Sequence, residues 1–275
     1  MDFESDILAR IQQALEAAVR EISPFRMGRV RAEYKSDNQL VTAADRAANR
    51  VLQEMLVRDN EGWLSEESPD DLARLKRKRV WTVDPLDGTR EFVAGIPEWS
   101  ISVALVEDGQ PIAGGVCNPA SNQTFLGSLA TGLTCNGQPC HPTRKGTLQG
   151  ALVLASRSEV ERGEWNKFKH SRFEVKAVGS IAYKLALVAA GLADATWTLQ
   201  PKNEWDIASG VALILAAGGF AQRLSSPGLV FNNRAPTVPN LMAGGPCLSR
   251  KLPSYLKRIA RNPPSMKKPR FISLG

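Results

Sequence analysis

The chain has 275 residues, 43% of them hydrophobic, enough to fill a sizeable core in one large domain or two small ones. No apolar run approaches the ~20 residues that cross a bilayer, and the opening MDFESDILAR places acids where an export signal needs bases, so a soluble, cytoplasmic protein is expected. The net charge of +7 belongs to one end: eight of the 35 basic residues (Arg250, Lys251, Lys257, Arg258, Arg261, Lys267, Lys268, Arg270) follow Leu248 with no acid among them, and the remaining 27 face 28 acids.

Apolar residues at Ile7, Leu8, Ile11, Leu15, Val19 and Ile22 keep a three-and-four spacing that predicts an amphipathic helix over 6–22, stopped by Ser23-Pro24. A second helix is expected from Thr42 to about Val57, with Val51, Leu52, Met55 and Leu56 on its buried face. The loop Asn60-Glu61-Gly62 leads to Trp63-Leu64-Ser65-Glu66-Glu67-Ser68, a charged stretch to Arg79, and a strand from Val80 to Val83. Segments 99–106 and 111–118 flank the turn Glu107-Asp108-Gly109-Gln110 as a hairpin, and a strand over 124–129 with the Asn136-Gly137 turn extends an antiparallel sheet.

The second half alternates strands at 151–155, 173–177, 195–199 and 220–224 with helices near 159–169, 180–191 and 206–217. The expected fold class is layered α/β: an antiparallel sheet with helices in residues 1–145, a smaller mixed sheet with helices in 146–246, and a basic tail over 247–275. Within that tail Leu252, Tyr255, Leu256 and Ile259 keep helical spacing until Pro263-Pro264.

Cys117, Cys135, Cys140 and Cys247 match no zinc spacing, and His141 and His170 are the only histidines. Acid–base chemistry must therefore rest on carboxylates, hydroxyls or metal-bound water. Behind the 80–83 strand stands Asp84-Pro85-Leu86-Asp87-Gly88-Thr89, two carboxylates delivered to a sheet edge and followed by backbone donors. It reads as a cradle for a divalent cation and its phosphate, or as a turn, since Asp-Pro and Asp-Gly both favour one. Glu66, Glu67 and Asp206 also fall at element ends; if they gather with Asp45, Asp84 and Asp87, hard oxygen ligands select Mg2+ or a similar ion. Asp45 and Asp206 have bland alternatives, as the acid of a Thr42-x-x-Asp45 capping box and as a first-turn acid facing the helix dipole.

Four segments decide between these readings: Leu40-Val41-Thr42-Ala43-Ala44-Asp45, Leu64-Ser65-Glu66-Glu67-Ser68, Trp81 through Thr89, and Trp205-Asp206-Ile207-Ala208-Ser209-Gly210 with Ala217-Gly218-Gly219 behind it. Over residues 5 to 245 the chain resembles the lithium-sensitive, magnesium-dependent phosphatases that include inositol monophosphatase, fructose-1,6-bisphosphatase and the 3'(2'),5'-bisphosphate nucleotidases. The resemblance implies an αβαβα sandwich and two or three Mg2+ ions held by Glu66, Asp84, the Leu86 carbonyl, Asp87 and Asp206. It implies that Asp45 and Thr89, with Glu66, orient and activate the attacking water and that Gly88 and Thr89 open a helix toward the phosphate; homodimers are frequent among such relatives.

Arg90-Glu91-Phe92 and Ser156-Arg157-Ser158 resemble the bacterial 3'-phosphoadenosine-5'-phosphate phosphatases more than the inositol enzymes. That branch makes Arg157, Ser158, Ser180 and Lys184 the substrate-binding set beside Asp206, and the substrate a nucleotide. The chain has Leu199-Gln200-Pro201-Lys202 where inositol-preferring members place a glutamate, which disfavours inositol 1-phosphate. A rival of another class is a scaffold whose tail from Arg250 to Arg270 contacts nucleic acid. The tail's few aromatics (Tyr255, Phe271) and the near-neutral body weigh against it.

Overall fold

A computed structural model describes residues 3–34, 40–226 and 228–261. Helices α1 (Phe3–Ile22) and α2 (Ala43–Leu56) lie together on one face of a seven-stranded sheet. Ile7, Ile11, Leu15, Ala18 and Ile22 of α1 and Ala44, Ala48, Leu52 and Leu56 of α2 are buried there against Trp81, Val83, Val103 and Leu105. In α2 the buried seam runs at strict four-residue steps, which leaves Met55 on its flank and exposed, contrary to expectation.

The seven strands follow chain order from Glu61–Ser65 and Arg79–Asp87 through Ser100–Glu107, Gln110–Asn118 and Gln123–Ser128 to Gly132–Cys135 and Gln138–Pro139. All neighbours are antiparallel except the first pair, which is parallel. The short helix α3 (Thr89–Ala94) follows the second strand, and α4 (Arg157–Glu161) occupies part of the span expected to be one helix over 159–169. Gly163, at φ 75, breaks that span, and a 3-10 turn over Glu164–Phe168 completes it.

Helices α5 (Ile181–Ala189) and α6 (Glu204–Ala216) pack on the opposite face of the large sheet and on a second sheet of five strands. Its order is Glu174–Val178, Leu152–Ser156, Ala195–Trp197, Met242–Gly244, Phe220–Gln222, with the first three parallel and the last two antiparallel additions. The Met242–Gly244 strand, three residues long, carries no periodicity and was not expected. Beyond this sheet, Trp165, Phe168, Phe173 and Trp197 pack with Leu252 and Leu256 of α7 (Lys251–Arg261). The layers therefore run helix, sheet, helix, sheet, helix. The basic segment after Leu248 begins as a packed helix, and residues 262–275 lie outside the described residues. No helix among the described residues is long and apolar enough to cross a membrane.

Candidate active site

Side chains three apart in a regular strand leave opposite faces of its sheet. Asp84 and Asp87 escape this, because the pairing shifts between them: Asp84 lies opposite Ser102 and Asp87 opposite Ser100, three steps on one strand against two on the other. The extra residue is a bulge at Pro85-Leu86, where a proline without an N–H costs the ladder nothing, and it turns both carboxylates into one cleft. Asp84 is further fixed by the Leu86 N–H, which donates to its Oδ1 at 3.0 Å.

The parallel pair brings in Glu66. Ser65 is registered with Val83, so the next residue on each strand, Glu66 and Asp84, stand side by side. Asp206 comes from the first turn of α6, where it closes a capping box by accepting from the Asn203 N–H at 2.9 Å. Glu66, Asp84 and Asp206 each place a carboxylate oxygen within 4.8 Å of the others. Burial, followed by the charges of Glu66, Asp87 and Asp206, pushes Asp84 well above the usual carboxylate range. Burial, with Asp87 and Glu66, does the same to Asp206. These anions cannot all stay ionised at neutral pH without a compensating cation. No Cys or His lines the cleft, and an all-oxygen donor set fits a hard divalent ion.

Asp87 faces a different partner. Its Oδ2 accepts from the Ser180 hydroxyl and from the Ala182 N–H, both at 2.7 Å, so one oxygen is held by the start of α5. Burial raises its pKa, opposed by those hydrogen bonds and by Lys184 and Lys202. Ser180 caps α5 by accepting from the Tyr183 N–H, which places it as a holder of Asp87.

Asp45 uses its two oxygens separately. Its Oδ2 accepts from the Thr42 N–H (2.8 Å) and hydroxyl (2.6 Å) as the capping-box acid of α2. Its Oδ1 accepts from the Thr89 hydroxyl at 3.1 Å, and that hydroxyl is equally close to the Leu86 carbonyl. Burial outweighs these hydrogen bonds and raises the Asp45 pKa. Gly88 sits between at φ 98, a conformation open to glycine, with a Cβ position only 3.1 Å from the Glu98 carbonyl oxygen.

The cleft that collects these groups has a volume of about 300 Å3, and Glu66, Asp84, Leu86, Asp87, Gly88, Thr89, Ser158, Ser180, Lys184 and Asp206 all line it. Asp45 stands behind it, reaching it through Thr89. Arg157 does not line it: its guanidinium donates to Glu98 Oε2 and the Ala177 carbonyl. Lys184 is buried, with Nζ on the carbonyls of Val178, Gly179 and Ser180, and burial lowers its pKa to about 8.

Among the lining residues beyond the expected set, four have polar side chains: Arg90, Glu91, Ser156 and Lys202. All four lie in segments that the sequence marks, Arg90-Glu91-Phe92, Ser156-Arg157-Ser158 and Leu199-Gln200-Pro201-Lys202. Lys202, four residues ahead of Asp206, had its signal in that spacing, because the Asn203 cap folds the chain back over the helix start. Among the described residues the Arg90 and Lys202 side chains make no hydrogen bond or ion pair.

A sequence model of the inositol monophosphatase family matches residues 4–257, which carries the likeness past residue 245 and into α7. The 3'-phosphoadenosine 5'-phosphate phosphatase of Mycobacterium bovis is 35% identical over 244 residues, covering 84% of this chain and 86% of that protein. An inositol-1-monophosphatase of Rhizobium meliloti is 32% identical over 201 residues, covering 70% of this chain and 75% of that one. Among solved structures, the inositol monophosphatase from Anabaena aligns with a TM-score of 0.79 at 25% identity, covering 94% of this chain and 97% of that one. CysQ from Bacteroides thetaiotaomicron, a bacterial member of the same family, aligns with a TM-score of 0.74 at 26% identity, covering 89% and 98%. Carboxylates gathered from a bulged strand, its parallel neighbour and a helix start thus belong to a chain matched along nearly its whole length: it is a phosphatase of the inositol monophosphatase family.

Proposed function

We propose that this phosphatase is Mg2+-dependent and removes the 3'-phosphate of 3'-phosphoadenosine 5'-phosphate or a closely similar 3'(2'),5'-bisphosphate nucleotide. The observation that carries the metal reading is the convergence of Glu66, Asp84 and Asp206 within 4.8 Å in a cleft free of His and Cys. Asp87 and the Leu86 carbonyl complete the expected ligand set. Bound there, Mg2+ would offset charge on the phosphate and acidify the water that attacks it.

The chain's own groups supply the rest. Asp45 Oδ2 is fixed by Thr42, so Oδ1 is held toward Thr89, and the Thr89 oxygen keeps lone pairs to accept a proton from the attacking water as its own passes to Asp45. The raised pKa of Asp45 makes it a better proton acceptor than an exposed carboxylate. No nucleophilic side chain is needed, so no covalent phosphoenzyme forms.

The preference for a bisphosphate rests on Arg90 and Lys202, two cations on the cleft whose side chains make no hydrogen bond or ion pair among the described residues, and on Leu199-Gln200-Pro201-Lys202 in place of a sugar-holding glutamate. It is supported by the 35% identity to a protein named for this substrate. The inositol-1-phosphate alternative draws on the relative in Rhizobium meliloti. Phosphate release compared across 3'-phosphoadenosine 5'-phosphate, inositol 1-phosphate and fructose 1,6-bisphosphate separates these. The highest kcat/KM on either sugar phosphate would overturn the nucleotide assignment.

A further inference from the structure

We propose that Glu98 is a positioning residue for Asp87, acting through the Gly179-Ser180 turn that starts α5; this rests on the metal-dependent reading above. The starting point is strain. Ser180 has φ 39 and ψ 114, a left-handed backbone that a residue with a Cβ rarely adopts and that persists only where its surroundings force it.

Glu98 is what forces it from the side of the large sheet. Its Oε2 accepts from the Gly179 N–H at 2.8 Å, immediately before the strained residue. Its carbonyl oxygen lies 2.5 Å from where a Cβ on Gly179 would stand, and 3.1 Å from where one on Gly88 would stand. The Glu98 backbone is thus wedged between the residue after Asp87 and the residue before Ser180, at a closeness only two glycines allow. Lys184 holds the same turn from the other side through three carbonyls, including those of Gly179 and Ser180.

The turn delivers two donors to one atom. Ser180 Oγ and the Ala182 N–H both point at Asp87 Oδ2, which fixes the carboxylate plane and leaves the other oxygen for the cation. Arg157 Nη2 meets Glu98 Oε2 at 2.5 Å, which compensates its charge and keeps it oriented. Arg157 therefore serves Glu98, and Glu98 serves Asp87. Without the Glu98 acceptor, Gly179 and Ser180 relax toward unstrained backbone, the Ser180 hydroxyl leaves Asp87, and the cation loses an oriented ligand.

The test measures Mn2+ binding directly, by calorimetry and by the electron-resonance signal of free Mn2+, on the full chain and on Glu98→Ala, Glu98→Gln and Arg157→Ala. Groups that orient a metal ligand typically weigh about tenfold or more in metal affinity, so Glu98→Ala should bind Mn2+ roughly tenfold more weakly. Glu98→Gln, whose amide oxygen still accepts from Gly179, should recover most of that, and Arg157→Ala, which removes the counter-charge but leaves the acceptor for Gly179, should fall between the parent and Glu98→Ala. If Glu98→Ala does not fold, Glu98→Asp keeps the charge but withdraws the acceptor by one methylene, and the same weakening is expected. Unchanged Mn2+ affinity in a folded Glu98 variant that cannot reach Gly179 overturns this inference alone. So does an Arg157→Ala loss greater than that of Glu98→Ala, since the Arg157 side chain rather than the Gly179 acceptor would then hold the turn. A parent protein that binds no Mn2+ removes the metal reading itself.

Discussion

Asp45 and Thr89 are 44 residues apart in the chain and 3.1 Å apart between Oδ1 and Oγ1. The same carboxylate caps α2 with its other oxygen, so the helix start and the proposed proton acceptor are one group. Asp45→Asn separates the two jobs, because an amide oxygen still accepts from the Thr42 N–H but takes no proton. Loss of general-base function removes roughly 100- to 10,000-fold in rate, and kcat should fall on that scale while the melting temperature barely moves. A parallel collapse of stability and rate would mean that capping is the residue's only role.

Asp87→Asn keeps an acceptor for Ser180 and Ala182 and removes one charge from a crowded set. Without metal the variant should melt no lower than the parent, since a buried repulsion is gone. At saturating Mg2+ its turnover should be reduced by at least about tenfold, in line with the cost of disturbing a metal's surroundings. Near-parental turnover would remove Asp87 from the ligand set.

The acidic cluster also fixes a pH dependence. Asp84 and Asp206 are raised well above 3.8 in the folded protein, so between 3.8 and those raised values the folded state binds more protons than the unfolded chain. Metal-free stability therefore falls as pH rises through that window. Mg2+ competes with the same protons, so the thermal stabilisation it confers should be larger at about pH 8 than at about pH 5. Equal shifts at the two values would show that Mg2+ does not bind these carboxylates.

Lys184→Met removes the side-chain donor from three carbonyls of the 178–180 turn, of which Ser180's keeps the backbone N–H of residue 184. Buried groups stripped of a partner cost roughly 1–3 kcal/mol, and chemical denaturation should show a loss of that order with a matching fall in Mg2+ affinity. The lysine's pKa is lowered from 10.5 to about 8, so its contribution to pH dependence has the opposite sign to that of the acids. The unfolded chain holds the proton longer, and stability gains from this residue as pH rises from about 8 toward 10.5.

Lys202→Met should discriminate between substrates. A charge-assisted contact to a second phosphate is worth roughly tenfold in affinity, so KM for 3'-phosphoadenosine 5'-phosphate should rise on that scale while KM for a monophosphate changes little. An equal rise for both would place Lys202 on the phosphate that is cleaved.

Much of this site was legible in the sequence because its carboxylates sit at element ends, where a strand or a capped helix start aims them. Asp84 follows a run of buried strand residues, and Asp206 and Asp45 each stand third in a helix whose cap is readable. The bulge that lets Asp84 and Asp87 share a face was not legible, since a register shift is a property of two strands. The Arg157–Glu98 pair was not legible for a related reason: the partners are 59 residues apart, and nothing local says that they meet. Glu98 itself gave no signal at all. In the fold, the layers followed from periodicity, while a single left-handed glycine at 163 divided one expected helix and a three-residue strand at 242–244 escaped notice.

Metal dependence is decided by phosphate release from 3'-phosphoadenosine 5'-phosphate with Mg2+ present, with Mg2+ removed by chelation, and with Mg2+ restored, in the parent and in Asp84→Asn. Turnover should disappear with the metal, return with it, and stay absent in the variant. A rate that survives chelation, or an Asp84→Asn enzyme as fast as the parent, would contradict that dependence.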